Sequence, residues 1–348
     1  MSLHEPYMQR CFDLAELGEG HTAPNPMVGA VLVCEGRIIG EGYHACYGGP
    51  HAEVNAVASV PASLRHLIPA STLYVSLEPC CITGKTGACT SLILNEGINK
   101  VVVSCLDMTP GVAGQGVALL RAAGVEVELG VLEEQGRYLS RVRNHFVTHR
   151  APYVTIKYAV TPAGHFAPHP SRRAWITQSY TQRYTHRLRG AAAAILIGTQ
   201  TALVDDPGLD NRLFFGPSPL RVVLDRRLRL PGHLKIFDES SPTLIIHEAP
   251  TTTGAQERVE YLQMPFDDDL LSHLLAALYE RKVSSLLVEG GAQLIQSFFD
   301  AGLWQEAVVY TGNREFENGL PAPLVPGVCV QTDQIGPDRV RRFVPHPC

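Results

Sequence analysis

Two successive α/β domains are predicted for this chain. Three observations carry that prediction: its length, an alternation of helix-type and strand-type patterns along both halves, and a break in the alternation near residue 150. At 348 residues the chain can fill two buried cores rather than one. Hydrophobic residues make up 45% and charged residues 18%, the balance of a soluble globular protein.

The elements follow in order. Apolar residues recur at helical spacing over 7–17. Residues 28–33 and 37–43 are strand-like, and Glu35-Gly36 between them predicts a hairpin turn. A helix is expected over 52–60, a strand over 72–77, and a helix over 90–96 that ends at Gly97. Strand 100–104, helix 117–123, strand 125–129 and helix 133–145 complete the first half. That order predicts a sheet covered by helices. Around His149-Arg150-Ala151-Pro152 the pattern breaks, and Pro152 disfavours helix just before it. The boundary is placed there, giving domains of residues 1–148 and 149–348. The second half restarts with strand 153–160. Helix 180–189, strands 194–197, 221–225 and 243–247, helix 270–280, strand 285–288 and helix 294–301 follow.

Composition excludes several function classes. The net charge is −5 and there is no lysine- or arginine-rich block, which argues against nucleic acid as a partner. No apolar run approaches a membrane span. The first residues lack the basic-then-apolar layout of a signal peptide, so a cytoplasmic location is expected by default. Nine cysteines without a secretion signal point to reduced thiols and metal ligation rather than a disulfide framework.

One constellation carries chemistry. His51-Ala52-Glu53 opens a predicted helix, Pro79-Cys80 is expected to close a strand, and Cys89 opens the next helix. Three ligands with one open position suit catalytic zinc, whereas a structural site would want a fourth. Glu53, two residues from His51, is expected to move protons between a water and a leaving amine rather than to ligate. His-x-Glu followed by Pro-Cys and a second Cys is the zinc deaminase signature, although the usual cysteine spacing is shorter. Cys81 competes with Cys80 for the ligand position. Adjacent strand residues point to opposite faces, which favours Cys80 alone.

The second half has no Gly-x-Gly-x-x-Gly fingerprint after a strand, so a Rossmann mode is not supported. Glu289-Gly290-Gly291 lies between a strand and a helix, where bare backbone and a helix N-terminus can approach a phosphate. Arg183 and Arg212 are candidate phosphate ligands, since guanidinium pairs well with phosphate oxygens.

The chain resembles a known family, the bifunctional deaminase–reductase of riboflavin biosynthesis. In the first half the likeness rests on Pro24-Asn25-Pro26-Met27-Val28-Gly29, Gly42-Tyr43-His44, Gly49-Pro50-His51-Ala52-Glu53, and Leu77-Glu78-Pro79-Cys80 with Gly84-Lys85-Thr86 and Cys89. In the second it rests on Pro152-Tyr153-Val154-Thr155-Ile156-Lys157, Trp175-Ile176-Thr177, Ala194-Ile195-Leu196-Ile197-Gly198, Asp205-Asp206-Pro207 with Leu209 and Arg212, and Val288-Glu289-Gly290-Gly291. The long cysteine interval is what this family shows.

The resemblance implies a cytidine-deaminase-like α/β/α domain followed by a dihydrofolate-reductase-like α/β domain. It implies zinc-dependent deamination of a phosphoribosylated diaminohydroxypyrimidine, then NADPH-dependent reduction of the ribose to ribityl. Asn25 and His44 match substrate-side positions in the first half. Arg183, Leu209, Arg212 and Glu289 match them in the second. Val160, Trp175, Thr201, Asp205, Gly290 and Gly291 match cofactor-side positions.

The chain departs from the family at four places. Ile82 or Thr83 stands where a histidine is usual, Gly87-Ala88 where two prolines are usual, Asp107-Met108-Thr109-Pro110 where an Asp-Pro block near the deaminase pocket is usual, and Thr161-Pro162-Ala163-Gly164-His165 where a Ser-Leu-Asp-Gly-Lys-like turn is usual. Weaker substrate placement is expected from these changes, with activity retained in both halves. A zinc deaminase of another nucleoside or tRNA base, and a non-catalytic homologue with one activity lost, are the alternatives on the residues alone. Homo-oligomerisation is left open.

Overall fold

The structure is a computed structural model and describes residues 3–82, 87–169, 174–250, 257–316 and 319–347. The motif Gly84-Lys85-Thr86 and the alternative position Thr83 lie outside the described residues. The chain divides into two compact units, Met1–Ala151 and Pro152–Cys348.

The first unit runs α1 (Glu5–Glu16), β1 (Gly29–Cys34), β2 (Arg37–Tyr43), α2 (Ala52–Ala58), β3 (Thr72–Val75), α3 (Cys89–Asn95), β4 (Lys100–Val103), α4 (Gln115–Ala122), β5 (Glu126–Leu129), α5 (Glu133–Leu139) and α6 (Arg141–His149). Its five strands pair in the order β2-β1-β3-β4-β5. The β1 pairings are antiparallel, and β3, β4 and β5 run parallel. The expected hairpin turn is present: Glu35 and Gly36 both have positive φ, +49° and +76°, as a tight two-residue turn between twisted strands requires.

Strand alternation sorts the core into two faces. Ala30, Leu32, Leu73, Val75, Val101 and Val103 pack with Ala52, Ala56 and Val57 of α2, Ile93 of α3 and Leu120 of α4. Val31, Val33, Tyr74 and Val102 pack with Met8, Cys11, Phe12 and Leu14 of α1. The result is an α/β/α sandwich. The helix expected over 133–145 is instead two helices. Ser140 leaves the helical region with φ −88° and ψ 2°, and α6 continues to His149.

The second unit runs β6 (Tyr153–Val160), β7 (His165–Ala167), α7 (Thr181–Ala191), β8 (Ala194–Gly198), α8 (Thr199–Asp205), β9 (Leu220–Leu224), β10 (Thr243–His247), β11 (Val259–Gln263), α9 (Leu270–Glu280), β12 (Ser285–Gly290), α10 (Ala292–Asp300), β13 (Glu306–Thr311), β14 (Leu320–Pro321), β15 (Gly327–Ile335) and β16 (Asp338–Pro345). Nine strands form one sheet in the order β11-β10-β9-β8-β12-β6-β13-β16-β15. The seven from β11 to β13 are parallel, and β16 and β15 close the sheet antiparallel. Ile156, Leu196, Val222, Ile246 and Val288 face Leu274 and Leu278 of α9 and Ile295 and Phe298 of α10. Ile195, Ile197, Val223 and Leu287 face the other way, with Leu188 of α7 and Ala202 of α8. Crossover helices cover both faces, as a parallel sheet requires.

Candidate active sites

The first site forms where α2 and α3 begin. His51 is the N-cap of α2, and Cys89 is the first residue of α3. Helix α2 lies directly on β2 because Gly42 has no side chain: a Cβ there would stand 2.2 Å from the Ala56 nitrogen and 2.6 Å from the Ala52 oxygen. Gly29 plays the same part for α1, where a Cβ would fall 2.0 Å from the Cys11 oxygen. Two glycines of the family-like blocks are thus required by packing.

Pro79-Cys80 does not close a strand. The ladder of β3 ends at Val75, and the chain continues without one to Cys80. The strand-alternation reason for preferring Cys80 to Cys81 therefore lapses, yet the cluster contains Cys80 and not Cys81. What aims Cys80 is the turn into α3. The Cys89 N–H donates to the Cys80 sulfur at 3.3 Å, and the Cys80 carbonyl accepts the Thr90 N–H at 3.1 Å.

The ligand atoms of His51, Cys80 and Cys89 all lie within 4.8 Å of one another. His51 Nδ1 is 3.3 Å from Cys89 Sγ and 3.5 Å from Cys80 Sγ. A tetrahedral zinc ion bound to nitrogen and thiolate sulfur sets those atoms about 3.6 Å apart. The donor set and its spacing fit zinc, and three protein ligands leave a fourth position for a reactant. The Cys89 thiol, His51 and the Cys89 amide together hold the Cys80 thiol ionised. The Cys89 thiol keeps its proton in return, with burial adding to the effect.

Glu53 is buried in the first turn of α2, with its carboxyl facing the Cys89 thiol. Burial pushes that carboxyl up from its ordinary value, and the Cys80 charge adds to the push. His44 and Asn25 stand beside the cluster. Asn25 Nδ2 donates to His44 Nε2 at 3.2 Å, and His44 Nδ1 donates to the Pro50 carbonyl at 2.9 Å. This pairing fixes the neutral tautomer with the proton on Nδ1. Burial lowers the His44 pKa, the Pro50 carbonyl opposes, and His51 lowers it further. The His44 and His51 rings meet edge-on at 5.5 Å.

The second site is a cleft of about 230 Å³ in the second unit. Among the residues expected there, Trp175, Thr201, Asp205, Leu209, Arg212 and Glu289 line it. Gly290 and Gly291 adjoin it. A Cβ on Gly291 would stand 3.3 Å from Thr201 Oγ1, and one on Gly290 3.6 Å from the Phe166 ring. Gly290 has φ +129°, a region open to glycine, and Gly291 caps α10. Bare backbone at a helix start beside a hydroxyl fits the diphosphate of a dinucleotide. Val160 and Arg183 are placed differently. Val160 is buried at the end of β6 and Arg183 is exposed on α7; neither belongs to the cleft lining.

The cleft residues that sequence reasoning did not single out include three with titratable or cationic side chains, Lys157, Arg189 and His186. Arg189 Nε and Nη2 each donate at 2.8 Å to one oxygen of Glu289, a part-buried bidentate pair. Burial alone would raise the Glu289 carboxyl, yet Arg189 and Lys157 beside it bring it down to about 2. Burial also lowers the Lys157 ammonium, against the pull of Glu289. His186 Nδ1 accepts the Arg212 backbone N–H at 3.1 Å. Burial, with Arg189 and Arg212 nearby, depresses its pKa to about 4. Lys157 did carry a signal, as a lone cation inside the apolar run of β6.

Comparison with known proteins agrees with both halves. The family model for the cytidine and deoxycytidylate deaminase zinc-binding region matches residues 1–105, and that for the RibD C-terminal domain matches residues 152–313. Among curated relatives, the riboflavin biosynthesis protein RibD of Aquifex aeolicus (strain VF5) is 37% identical over 319 residues, covering 90% of this chain and 88% of the relative. That of Bacillus amyloliquefaciens is 34% identical over 355 residues, covering 97% and 95%. Among solved structures, the diaminohydroxyphosphoribosylaminopyrimidine deaminase/5-amino-6-(5-phosphoribosylamino)uracil reductase of Thermotoga maritima superposes with a TM-score of 0.91 at 35% identity, covering 99% of both chains. Acinetobacter baumannii RibD, form 1, gives 0.89 at 30% identity with the same coverage. The first unit has the cytidine-deaminase-like fold and the second the dihydrofolate-reductase-like fold. With relatives matching nearly end to end and both family models in the expected order, the chain belongs to the RibD family of bifunctional deaminase–reductases of riboflavin biosynthesis.

Proposed function

We propose that the chain performs two successive reactions on one small-molecule substrate. The first is hydrolytic deamination of a phosphoribosylated diaminohydroxypyrimidine. The second is NADPH-dependent reduction of the product's ribose to ribityl. The observation that carries this reading is the joint presence, in one chain, of a three-ligand His/Cys/Cys cluster beside a buried Glu53 and a cleft with a Gly-Gly cradle beside Glu289. The net charge of −5 supports a small molecule over nucleic acid. Among the described residues no helix is long and apolar enough to cross a membrane.

In the first unit His51, Cys80 and Cys89 hold the metal. Zinc bound there supplies Lewis acidity that lowers the pKa of a water molecule toward neutrality. Glu53 takes the proton from the attacking water and delivers it to the amine nitrogen as ammonia leaves. Asn25 Nδ2 and neutral His44 form the wall against which the pyrimidine edge is oriented.

In the second unit the bare backbone at Gly290 and Gly291, with Thr201, receives the dinucleotide. NADPH bound there supplies the hydride. Arg212 on the cleft wall suits the substrate phosphate. Glu289, kept anionic by Arg189, accepts hydrogen bonds from ribose hydroxyls. Lys157 delivers a proton to the ribose ring oxygen as its bond to C1′ breaks and hydride reaches C1′.

The test is a coupled assay of zinc-loaded protein with the pyrimidine phosphate, with and without NADPH. Ammonia release is expected without NADPH, and NADPH oxidation only after it. Glu53→Gln should lower ammonia release by about 10²–10⁴-fold with zinc content retained. No ammonia from the zinc-loaded wild type sinks the deaminase reading. Ammonia without NADPH oxidation sinks the reductase reading.

A further inference from the structure

A chain of hydrogen bonds starts two residues before one candidate metal ligand and ends one residue before another. The Glu78 side chain is buried. Its carboxylate accepts the backbone N–H groups of Gly114 at 2.9 Å, Val117 at 3.1 Å and Asp107 at 3.2 Å. This anchors the segment from Asp107 to Val117 to the stretch that carries Cys80. Within that segment Asp107 Oδ1 accepts the Thr109 N–H at 2.7 Å, which fixes the backbone from which the Thr109 hydroxyl projects. Arg143 of α6 then spans two segments. Its Nη2 donates to Thr109 Oγ1 and its Nη1 to the Pro24 carbonyl, each at 3.2 Å. Next to Pro24, Asn25 donates to His44, and His44 donates to Pro50, the neighbour of His51.

We propose that Arg143 is a positioning residue for the deamination, clamping the Pro24-Asn25 turn to Thr109 and so setting the width of the pocket that receives the pyrimidine. This rests on the deaminase reading given above. The residue type suits the task. A guanidinium presents diverging N–H groups in a rigid plane and can hold two acceptors on two segments at a fixed separation. A lysine ammonium on its flexible stem is a single point donor and fixes the two less firmly. Asn25 and His44 reach the base, and Arg143 acts through them.

Zinc-loaded full-length protein is the material for the test. Arg143→Met removes both donors while keeping much of the apolar stem. It is expected to raise KM for the pyrimidine phosphate at least tenfold while kcat falls no more than threefold. Zinc content by elemental analysis should be unchanged. In the Glu53→Gln background, calorimetric Kd for the same compound should rise in parallel. Arg143→Lys should recover part of the loss. Thr109→Val should raise KM, and Thr109→Val combined with Arg143→Met should do no more harm than Arg143→Met alone, because both cut one clamp. KM and Kd within twofold of wild type overturn the proposal. So do multiplicative effects in the double variant, or a loss of zinc and thermal stability with KM unchanged. If Arg143→Met does not fold, Thr109→Val is read by itself, and an unchanged KM overturns it. A wild type that releases no ammonia marks failure of the underlying deaminase reading instead.

Discussion

Replacing Gly42 by alanine adds one methyl group where β2 meets α2. The new Cβ would lie 2.2 Å from the Ala56 nitrogen and 2.6 Å from the Ala52 oxygen. Both are backbone atoms of a helix, so no flexible side chain can yield. Ordinary contact requires roughly 3.4 Å, so α2 must move off the sheet by about 1 Å. Helix α2 is capped by His51 and carries Glu53 in its first turn. Catalytic groups must be held within about 0.5 Å of productive geometry, and a 1 Å misplacement costs on the order of 10²-fold in rate. Gly42→Ala is therefore expected to lower deaminase kcat/KM by about 10²-fold and to weaken zinc retention against a chelator. The reductase site lies in the other unit, so NADPH oxidation with the deaminated intermediate as substrate is an internal control for folding. Ammonia release and zinc retention both within threefold of wild type would refute the packing argument.

Three further outcomes are expected. Arg189→Met removes both hydrogen bonds from part-buried Glu289 and should cost up to about 3–5 kcal/mol in urea unfolding of the second unit, with reductase activity lost. His186 titrates at about 4 when folded against an ordinary 6.5. Above pH 6.5 neither state is protonated there and its contribution is whole; as pH falls from 6.5 toward 4 the unfolded state gains the proton first and stability declines, by up to about 3 kcal/mol. Glu289 has the same sign lower down, its contribution present above 4.5 and lost as pH falls toward 2. Urea melts at pH 7 and 4.5 should show His186→Asn with a smaller loss than wild type. Gly290→Ala forces a side chain into a φ of +129° at a cost of about 1–3 kcal/mol, and should raise KM for NADPH more than KM for substrate.

What could be read in the sequence follows the range of the interactions. His51, Glu53, Cys80 and Cys89 were legible because three of the four sit at or near helix starts and the spacing between ligand types is itself a pattern. Helices and strands with one buried face were legible for the same reason, through their period. Strand β15 was missed because nearly all of it is exposed, so no alternation marks it; β13 is a short apolar run that period alone does not resolve. Arg143 and Arg189 were missed because Pro24 and Glu289, to which they bond, are 119 and 100 residues away, and nothing local distinguishes a clamp from a solvated arginine. Gly29 and Gly42 were visible as matched blocks, but the reason for them, a helix backbone pressed on a strand, exists only in the fold.

The departures from the family pattern can be weighed by what each position does. Ala88, where a proline is usual, caps α3 with φ −63° and ψ 134°. Those are angles a proline also adopts, so alanine keeps the entry to Cys89 and forfeits only chain stiffness. Ile82 is exposed, outside the ligand cluster; losing a histidine there removes a polar group from the surroundings and leaves the metal ligands intact. The departure at Thr161-Pro162-Ala163-Gly164-His165 replaces an aspartate and a strong cation. The turn is nonetheless closed by its own backbone. Thr161 N–H donates to the His165 carbonyl and Gly164 N–H to the Thr161 carbonyl, both at 2.9 Å, while Thr161 Oγ1 accepts the His165 N–H at 3.1 Å. Gly164 takes φ +83°, which glycine permits. The turn leads into β7, whose Phe166 lines the cleft and meets Gly290. Since neither missing side chain is needed to hold that course, Phe166 keeps its place. Neither Ala163 nor His165 belongs to the cleft lining, whose cations are Lys157, Arg189 and Arg212.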